Sequence, residues 1–534
     1  MPTPTTTLKP YTGQWTEAEI THLLKRTMFG SKKSDVDYFK SRSVTQTVDE
    51  LLAFDTTSPA PPVKDYDVSG ALTSPDNNIA PGTTWVNDPN NDGNINSKRI
   101  ASFKKWWVGL MINQGRSVGE KMALFLHNHF STQTAAVSNA QFVYKHHALL
   151  RQNALGNFKK LTRQVTIDPA MLVFLNGQSN TASAPDENYG RELQELFCCG
   201  KGPNSLYTEA DVKAAARVLT GWINNAQTIS SSFVPSRHDK ANKQFSAFYN
   251  NTVITGRSDA TAGSTEIDDM LSMIFATSEA AKYICRCLYR WFVYYDITPA
   301  IEQNIISPLA DIFRNNNYEL KPVLSALFKS EHFFDSLNMG CQIKSPVDLV
   351  IGLCREFGLV FPASTDYATN YAMWNYLFSW LNNVNQNIGD PPDVSGWKAY
   401  YQIPQFYELW INSDTLPKRN QFTDILVTSG YTVNGKKLLI DVIAFAKTLP
   451  SPGDPNLLID DSLRLLFKID LAPDFKTKVK SDILLGGQIS DYYWTNAWDA
   501  YIASPTDTVS RNLVYTRLQA LYKYFMNLSE YQLC

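Results

Sequence analysis

The sequence predicts a mainly α-helical protein: a large multi-helix chain with long irregular loops and at most a small β component. Three observations carry this reading. Apolar residues recur at spacings of three and four almost throughout the 534 residues. Glycine, proline and Ser/Thr/Asp residues stand where helices need to start and stop. Strand-like patterning is confined to Asn224–Thr255.

The totals fit that class. A chain of 534 residues exceeds what one hydrophobic core usually organises, so two to four domains, or one large composite one, are expected. The composition divides the chain into N-terminal helices over 1–55, a long polar loop over 56–100, a central helical core over 101–430 and a C-terminal helical region over 431–534. Formal net charge is −2, which gives no basic excess for nucleic acid and no polybasic stretch for an anionic membrane surface. No apolar run is long enough to span a bilayer. The opening MPTPTTTLKPYTGQWTE lacks a basic start and apolar core, so the cytoplasm is expected unless export uses another route. The seven cysteines contain no CxxC pair and read as buried free thiols.

In chain order, Glu17–Phe29 is an amphipathic helix closed by Gly30, followed by helices over Ser34–Phe39 and Val44–Phe54. Thr56–Asn96 is rich in Pro, Asn, Asp, Gly, Ser and Thr, and reads as a long loop. Inside it, Asp88, Asn90 and Asp92 at positions one, three and five, Gly93 at six and Asn94 at seven resemble a calcium loop. Hard cations want many oxygens on a tight turn, which makes Asp88, Asn90, Asp92 and Asn94 candidate metal ligands and calcium the candidate cofactor. The twelfth position, where a bidentate acid belongs, is Arg99. The alternative is an Asn/Asp turn bonding its own backbone.

Helices are expected over Ser102–Gln114 and Val118–Phe130. His127 and His129 lie two apart in the second and diverge by about 200°, so a continuous helix cannot turn both to one metal. Further helices cover Gln141–Gln152, Asn157–Val165 and Met171–Leu175. After the strand-like run come Ile267–Ala276, Ser278–Tyr295, Ala300–Asn315, Leu320–Ser330, Cys341–Phe357 and Tyr371–Leu381. Asp390–Trp397 is a rigid proline-bearing loop. Phe406–Trp410, Asn420–Leu426, a helix from Lys436, Leu457–Phe467, Lys476–Leu485 and Val509–Asn527 complete the pattern.

The chain is organised around Asp186–Trp222. Asn188, Arg191, Glu192 and Glu195 share about a third of the circumference of an α-helix, while Leu193, Leu196 and Phe197 fill much of the rest. Gly200 and Gly202 end that helix. Thr208 caps the next, with Asp211 in the capping-box position. An arginine and two carboxylates therefore face the space between two helices that need to pack. The face is expected to be buried, and bonded within itself or to His127–Phe130 and His238–Asp239.

Taken in order, several stretches resemble the bacterial domain-of-unknown-function family 1800. They are LKRTMFG at Leu24–Gly30, KMALFLHNHF at Lys121–Phe130, NALGNF at Asn153–Phe158, Asp168–Leu175, ENYGRELQELFCCG at Glu187–Gly200 and YTEADVKAAARVLTGW at Tyr207–Trp222. His238-Asp239 with Lys243 and Phe245, Lys344-Ser-Pro346 and Pro391–Trp397 follow. The resemblance implies a bacterial protein, often exported and often encoded beside a second uncharacterised family related to sulfatases. It implies no activity. Cys198-Cys199 departs from the family's usual threonine and leucine but leaves the polar helix face intact.

Three functions remain open on the residues. The first is an acid–base hydrolase or lyase on a carbohydrate or similar polymer. Glu192 and Glu195 would be acid and base, Arg191 would hold an anionic group, and His129, His238 and Asp239 would be further candidates. The second is a non-enzymatic scaffold that assembles with itself or a protein partner through its aromatic residues and its two long loops. The third is a metal enzyme using His127, His129 and His238 with Glu192, which no local ligand spacing supports.

Overall fold

Helix Gly119–His129 has no exposed face: all 11 of its residues are buried. Charged and polar side chains on such a helix must each find a partner. Glu120 accepts from Arg151 Nε at 2.7 Å. Lys121 forms an ion pair with Asp348, in the first turn of helix Pro346–Glu356. The neighbouring helix Ala140–Gln152 packs along one side. In the computed structural model, which describes residues 4–67, 76–397 and 407–534, the rest of the chain is layered around this core.

The architecture is mainly α, with 56% of the chain helical. Helix Gly93–Asn113 packs on Tyr367–Asn383, and Thr415–Thr428 on Thr508–Asn527. The first helix, Glu17–Thr27, opens with a capping box between Thr16 and Glu19. It buries an ion pair between Lys25 and Glu356, and it packs on Pro455–Leu466. The hydrophobic core draws on residues from Ile20 to Tyr531. Among the described residues, no helix is long and apolar enough to cross a membrane. All seven cysteines are free, and only Cys341 is not fully buried.

Among the described residues the sheets are three two-stranded antiparallel ribbons. Trp222–Asn225 pairs with Ser230–Phe233, and Lys243–Gln244 with Val253–Ile254, in the region expected to hold strands. The third ribbon, Tyr431–Val433 with Lys436–Leu438, replaces the start of the helix expected from Lys436. The reason is local. Asn434 and Gly435 take φ values of 49° and 72°, the paired left-handed residues of a two-residue hairpin turn. Helix resumes only over Val442–Ala446.

Two other elements differ from expectation. Helix Tyr492–Ala503 was not expected; it buries Trp494, Ala497, Trp498 and Tyr501 at helical spacing. The expected Phe406–Trp410 helix is a 3-10 turn over Tyr407–Trp410, and Phe406 lies outside the described residues. Residues 68–75 of the polar loop lie outside them as well.

The helix expected from Ser102 begins at Gly93, so Asn94 is already helical. Asp92 is its N-cap and accepts from the backbone N–H of Asn94 at 2.8 Å and Ile95 at 3.1 Å. The Asn90 side chain accepts from Asp92 N–H at 2.8 Å. Arg99 reaches back and donates to the Asp88 carboxylate at 2.6 Å while also pairing with Asp76. The calcium-like spacing is therefore occupied by a cap and an internal cation, which corrects the reading of Asp88, Asn90, Asp92 and Asn94 as a ready ligand set. Asp92→Ala is expected to cost about 1 kcal/mol, the usual worth of such a cap, measured by urea unfolding. Millimolar calcium is expected to leave the melting temperature unchanged, because a second cation would have to displace the Arg99 guanidinium.

Candidate functional site

The helix at the centre of the sequence is not a plain α-helix. Asn188–Glu192 is α, and Leu193–Cys198 widens into a π turn. Cys199 N–H donates to Gln194 O, five residues back, at 2.8 Å. Gln194 is drawn into the core: its Nε2 donates to Gly190 O at 2.9 Å and its Oε1 accepts from the Tyr249 hydroxyl at 2.8 Å. Arg191 and Glu192 lie on the α part and Glu195 on the π turn, so the three do not share one regular helical face. Such turns recur at functional sites.

The three side chains go to three places. Arg191 faces outward, where it donates to both Glu209 oxygens at 2.7 Å and to Glu187 at 3.1 Å. The sequence also allows this arrangement, in which Arg191 pairs with Glu187 or Glu195 and with a facing helix as a structural network. Glu195 is buried and forms an ion pair with Lys201. Glu192 forms no ion pair among the described residues, and its Oε2 is buried without a donor. Burial is the main cause that raises its carboxyl above the usual range, and Asp393 adds to the rise. Lys201 and Arg191 act in the opposite direction.

Glu195 lines a cleft of about 1020 Å³. Its walls come from four stretches far apart in the chain. Asn128 and His129 end the buried helix, and Glu195 to Asn204 contribute the π turn and the loop after it. Glu279, Tyr283, Arg286 and Arg290 lie on helix Ser278–Phe292, and Glu302 and Ser395 complete the rim. Glu302 also begins a π turn, Glu302–Ile306. Pro308, which has no N–H to give Asn304, accounts for that widening.

Two glycines make the assembly possible. Gly200 has φ +77°, and a Cβ there would lie 2.5 Å from the Tyr283 ring. Tyr283 in turn donates its hydroxyl to Leu196 O at 2.8 Å, locking the helix to the π turn. Gly396 has φ +79°, and a Cβ there would strike the Asn128 carbonyl at 2.4 Å. That approach lets Trp397 N–H donate to Asn128 Oδ1 at 2.7 Å. The proline loop is held further by Ser131 to Val394 O at 2.5 Å and by Gln133 to Pro391 O at 2.8 Å.

The histidines divide as their spacing requires. His129 Nε2–H donates to Phe197 O at 2.9 Å, and burial pushes its pKa down to about 4. His127 points the other way, against Trp107 and Trp397. Burial pushes its pKa down to about 3. His147 also packs against Trp107, with both ring nitrogens buried and unpartnered. His238 and Asp239 do not line the cleft. His238 meets Glu266 at 3.1 Å and Thr220 O at 2.9 Å. Lys243 pairs with Glu266 at 2.6 Å, with both side chains fully buried. Asp239 accepts from Arg217 at 2.6 Å and 3.1 Å. Together these bonds pin the strand-bearing loop. Among the described residues, no three His, Cys, Asp or Glu side chains are grouped to hold a metal.

Sequence reasoning missed Glu279, Arg286, Arg290 and Glu302. The signal available was Arg286 and Arg290 one turn apart on an aromatic helix, a like-charged pair that an isolated helix disfavours.

A family described as "Protein of unknown function (DUF1800)" matches residues 22–533. No curated protein matches the chain, and neither does any solved structure.

Two outcomes are expected from the buried groups. Glu266→Gln leaves Lys243 buried without its counter-charge and is expected to cost about 3–5 kcal/mol in chemical unfolding. His127, His129 and His147 are held neutral in the folded state, so the unfolded chain binds more protons below the ordinary histidine pKa of 6.5. Stability should therefore fall as pH drops below about 6.5, by about 1.4 kcal/mol per pH unit for each such group until its folded-state pKa is reached, about 4 for His129 and about 3 for His127. His127→Phe is expected to shallow that slope by one proton, measured by urea unfolding across the range.

Proposed function

We propose that this chain, which belongs to the DUF1800 family of proteins of unknown function, is an acid–base hydrolase or lyase. It acts on a carbohydrate or similar polymer in the Glu195 cleft. The observation that carries this reading is a pair of carboxyl groups three residues apart with opposite environments, of which Glu195 lines the cleft and Glu192 lies behind the lining. Glu192 is raised by burial and lacks a donor at Oε2, which suits an acid that must hold its proton. Glu195 is paired to Lys201, which suits a carboxylate that stays ionised. Lys201 also acts on Glu192, so one cation bears on both.

The cleft volume is at the upper end of ligand sites, which accommodates several sugar rings. In this scheme Glu192 gives its proton to the leaving glycosidic oxygen. Glu195 takes a proton from water in hydrolysis, or from carbon in elimination. Arg286, fixed between Glu279 and Glu302, keeps the far wall rigid rather than taking part.

A panel of neutral and acidic oligosaccharides tests the reading. Hydrolysis gives new reducing ends; elimination also gives unsaturated, absorbing products. Glu192→Gln and Glu195→Gln are each expected to lower turnover by about a hundredfold or more. Glu192→Gln should do so without loss of stability. Its raised pKa means that the ionised carboxylate destabilises the fold above the unfolded value of 4.5, and the substitution removes that cost. Turnover should fall as pH rises through the raised Glu192 pKa, because the acid form is then lost. Turnover that survives both substitutions would sink the assignment.

A further inference from the structure

Two cations, Lys201 and Arg286, serve the three carboxylates of the cleft lining. Glu195 is taken by Lys201. Glu302 receives two bonds from Arg286, at 2.9 Å and 2.6 Å, and Glu279 receives a third. Every carboxylate that lines the cleft is thereby matched. The third cation of the lining, Arg290, stands apart from these pairs. Arg290 forms no ion pair among the described residues, and its one protein acceptor there is Tyr295 O, at 3.3 Å from Nε. Both of its terminal nitrogens remain available, one helical turn from Arg286.

A second donor in the lining of the same cleft is also unused. Asn128 is fully buried and its Oδ1 is occupied by Trp397 N–H, but its Nδ2 has no acceptor. A buried amide N–H without a partner costs free energy that a ligand acceptor would recover. The unfilled bonding capacity at Arg290 and Asn128 thus consists of donors, on a lining whose three carboxylates are balanced by Lys201, Arg286 and Arg290.

We infer that the cleft carries an oxyanion subsite in which Arg290 receives a carboxylate, sulfate or phosphate group of the ligand and Asn128 Nδ2 donates to an adjacent oxygen. A guanidinium with two free nitrogens matches the paired oxygens of such a group. The ligand class is then an acidic saccharide rather than a neutral one. Arg290 takes over the role that the sequence suggested for Arg191, which is spent on Glu187 and Glu209. The inference deepens the proposed function by naming its substrate class, but binding at the subsite does not require turnover.

Calorimetric titration of the intact protein with galacturonate, inorganic sulfate and inorganic phosphate, with glucose as the neutral control, tests it. Binding of at least one oxyanion and not of glucose is expected. Galacturonate alone would identify a planar carboxylate; sulfate or phosphate alone would identify a tetrahedral group. Arg290→Gln should weaken that binding by about tenfold or more, the worth of lost charge-assisted hydrogen bonds. Glu195→Gln should leave oxyanion binding intact while abolishing turnover, so the two ideas fail separately. If Arg290→Gln does not fold, the arginine Nε–H resonances of the unmodified protein report the same contact during titration. Equal binding of glucose and galacturonate, an unaffected Arg290→Gln, or unshifted arginine resonances would each overturn the subsite.

Discussion

The rest of the structure depends on the complete burial of helix Gly119–His129. A helix of mixed chemistry with no solvent face has to satisfy its polar side chains from other segments, and each of those bonds fixes a distant piece of chain. Glu120 fixes Arg151 and Lys121 fixes Asp348. Asn128 holds the backbone of Trp397, and His129 holds the carbonyl of Phe197. The last two bonds leave from the helix end, and that end is the floor of the cleft. The cleft exists because the polar tip of a buried helix draws the π turn and the proline loop toward it.

The fold class was legible because helical spacing is a local property. Capping at Thr208 and the left-handed break at Gly200 could be read from single residues and their neighbours. The hairpin at Tyr431–Leu438 was also written locally, in Asn434-Gly435, but the apolar run after it masked the turn. The site was legible only in part. Glu195 and His129 were named and do line the cleft, whereas Glu192, Arg191, His238 and Asp239 are not part of its lining. The failure at Arg191 has one cause. Arg191 lies on the α part before the π turn, and it turns outward to Glu209 of the next helix, a partner that spacing within one helix does not reveal. The opposite wall left only the Arg286 and Arg290 spacing as a signal, because helix Ser278–Phe292 meets the central stretch through tertiary packing.

The π turns at Leu193–Cys198 and Glu302–Ile306 have a shared effect. Each inserts a widened ring where a carboxylate must leave the direction its helix would give it. Glu195 and Glu302 both end on the cleft wall. The apolar residues around Glu195 remain buried, with Leu193, Phe197 and Cys198 wholly in the core. A wider turn therefore re-aims one side chain without unpacking its neighbours.

The span between Asn128 and Ser395 also bears on how the molecule folds. Contacts between residues so distant in the chain close large loops and cannot form before intervening segments have collapsed. Helices such as Glu17–Thr27 or Thr508–Asn527 can begin to order from their own residues. The cleft has no such local precursor. It is assembled late, when the proline loop closes onto the tip of a helix that is already buried, and a partly folded chain therefore carries its helices before it carries its site.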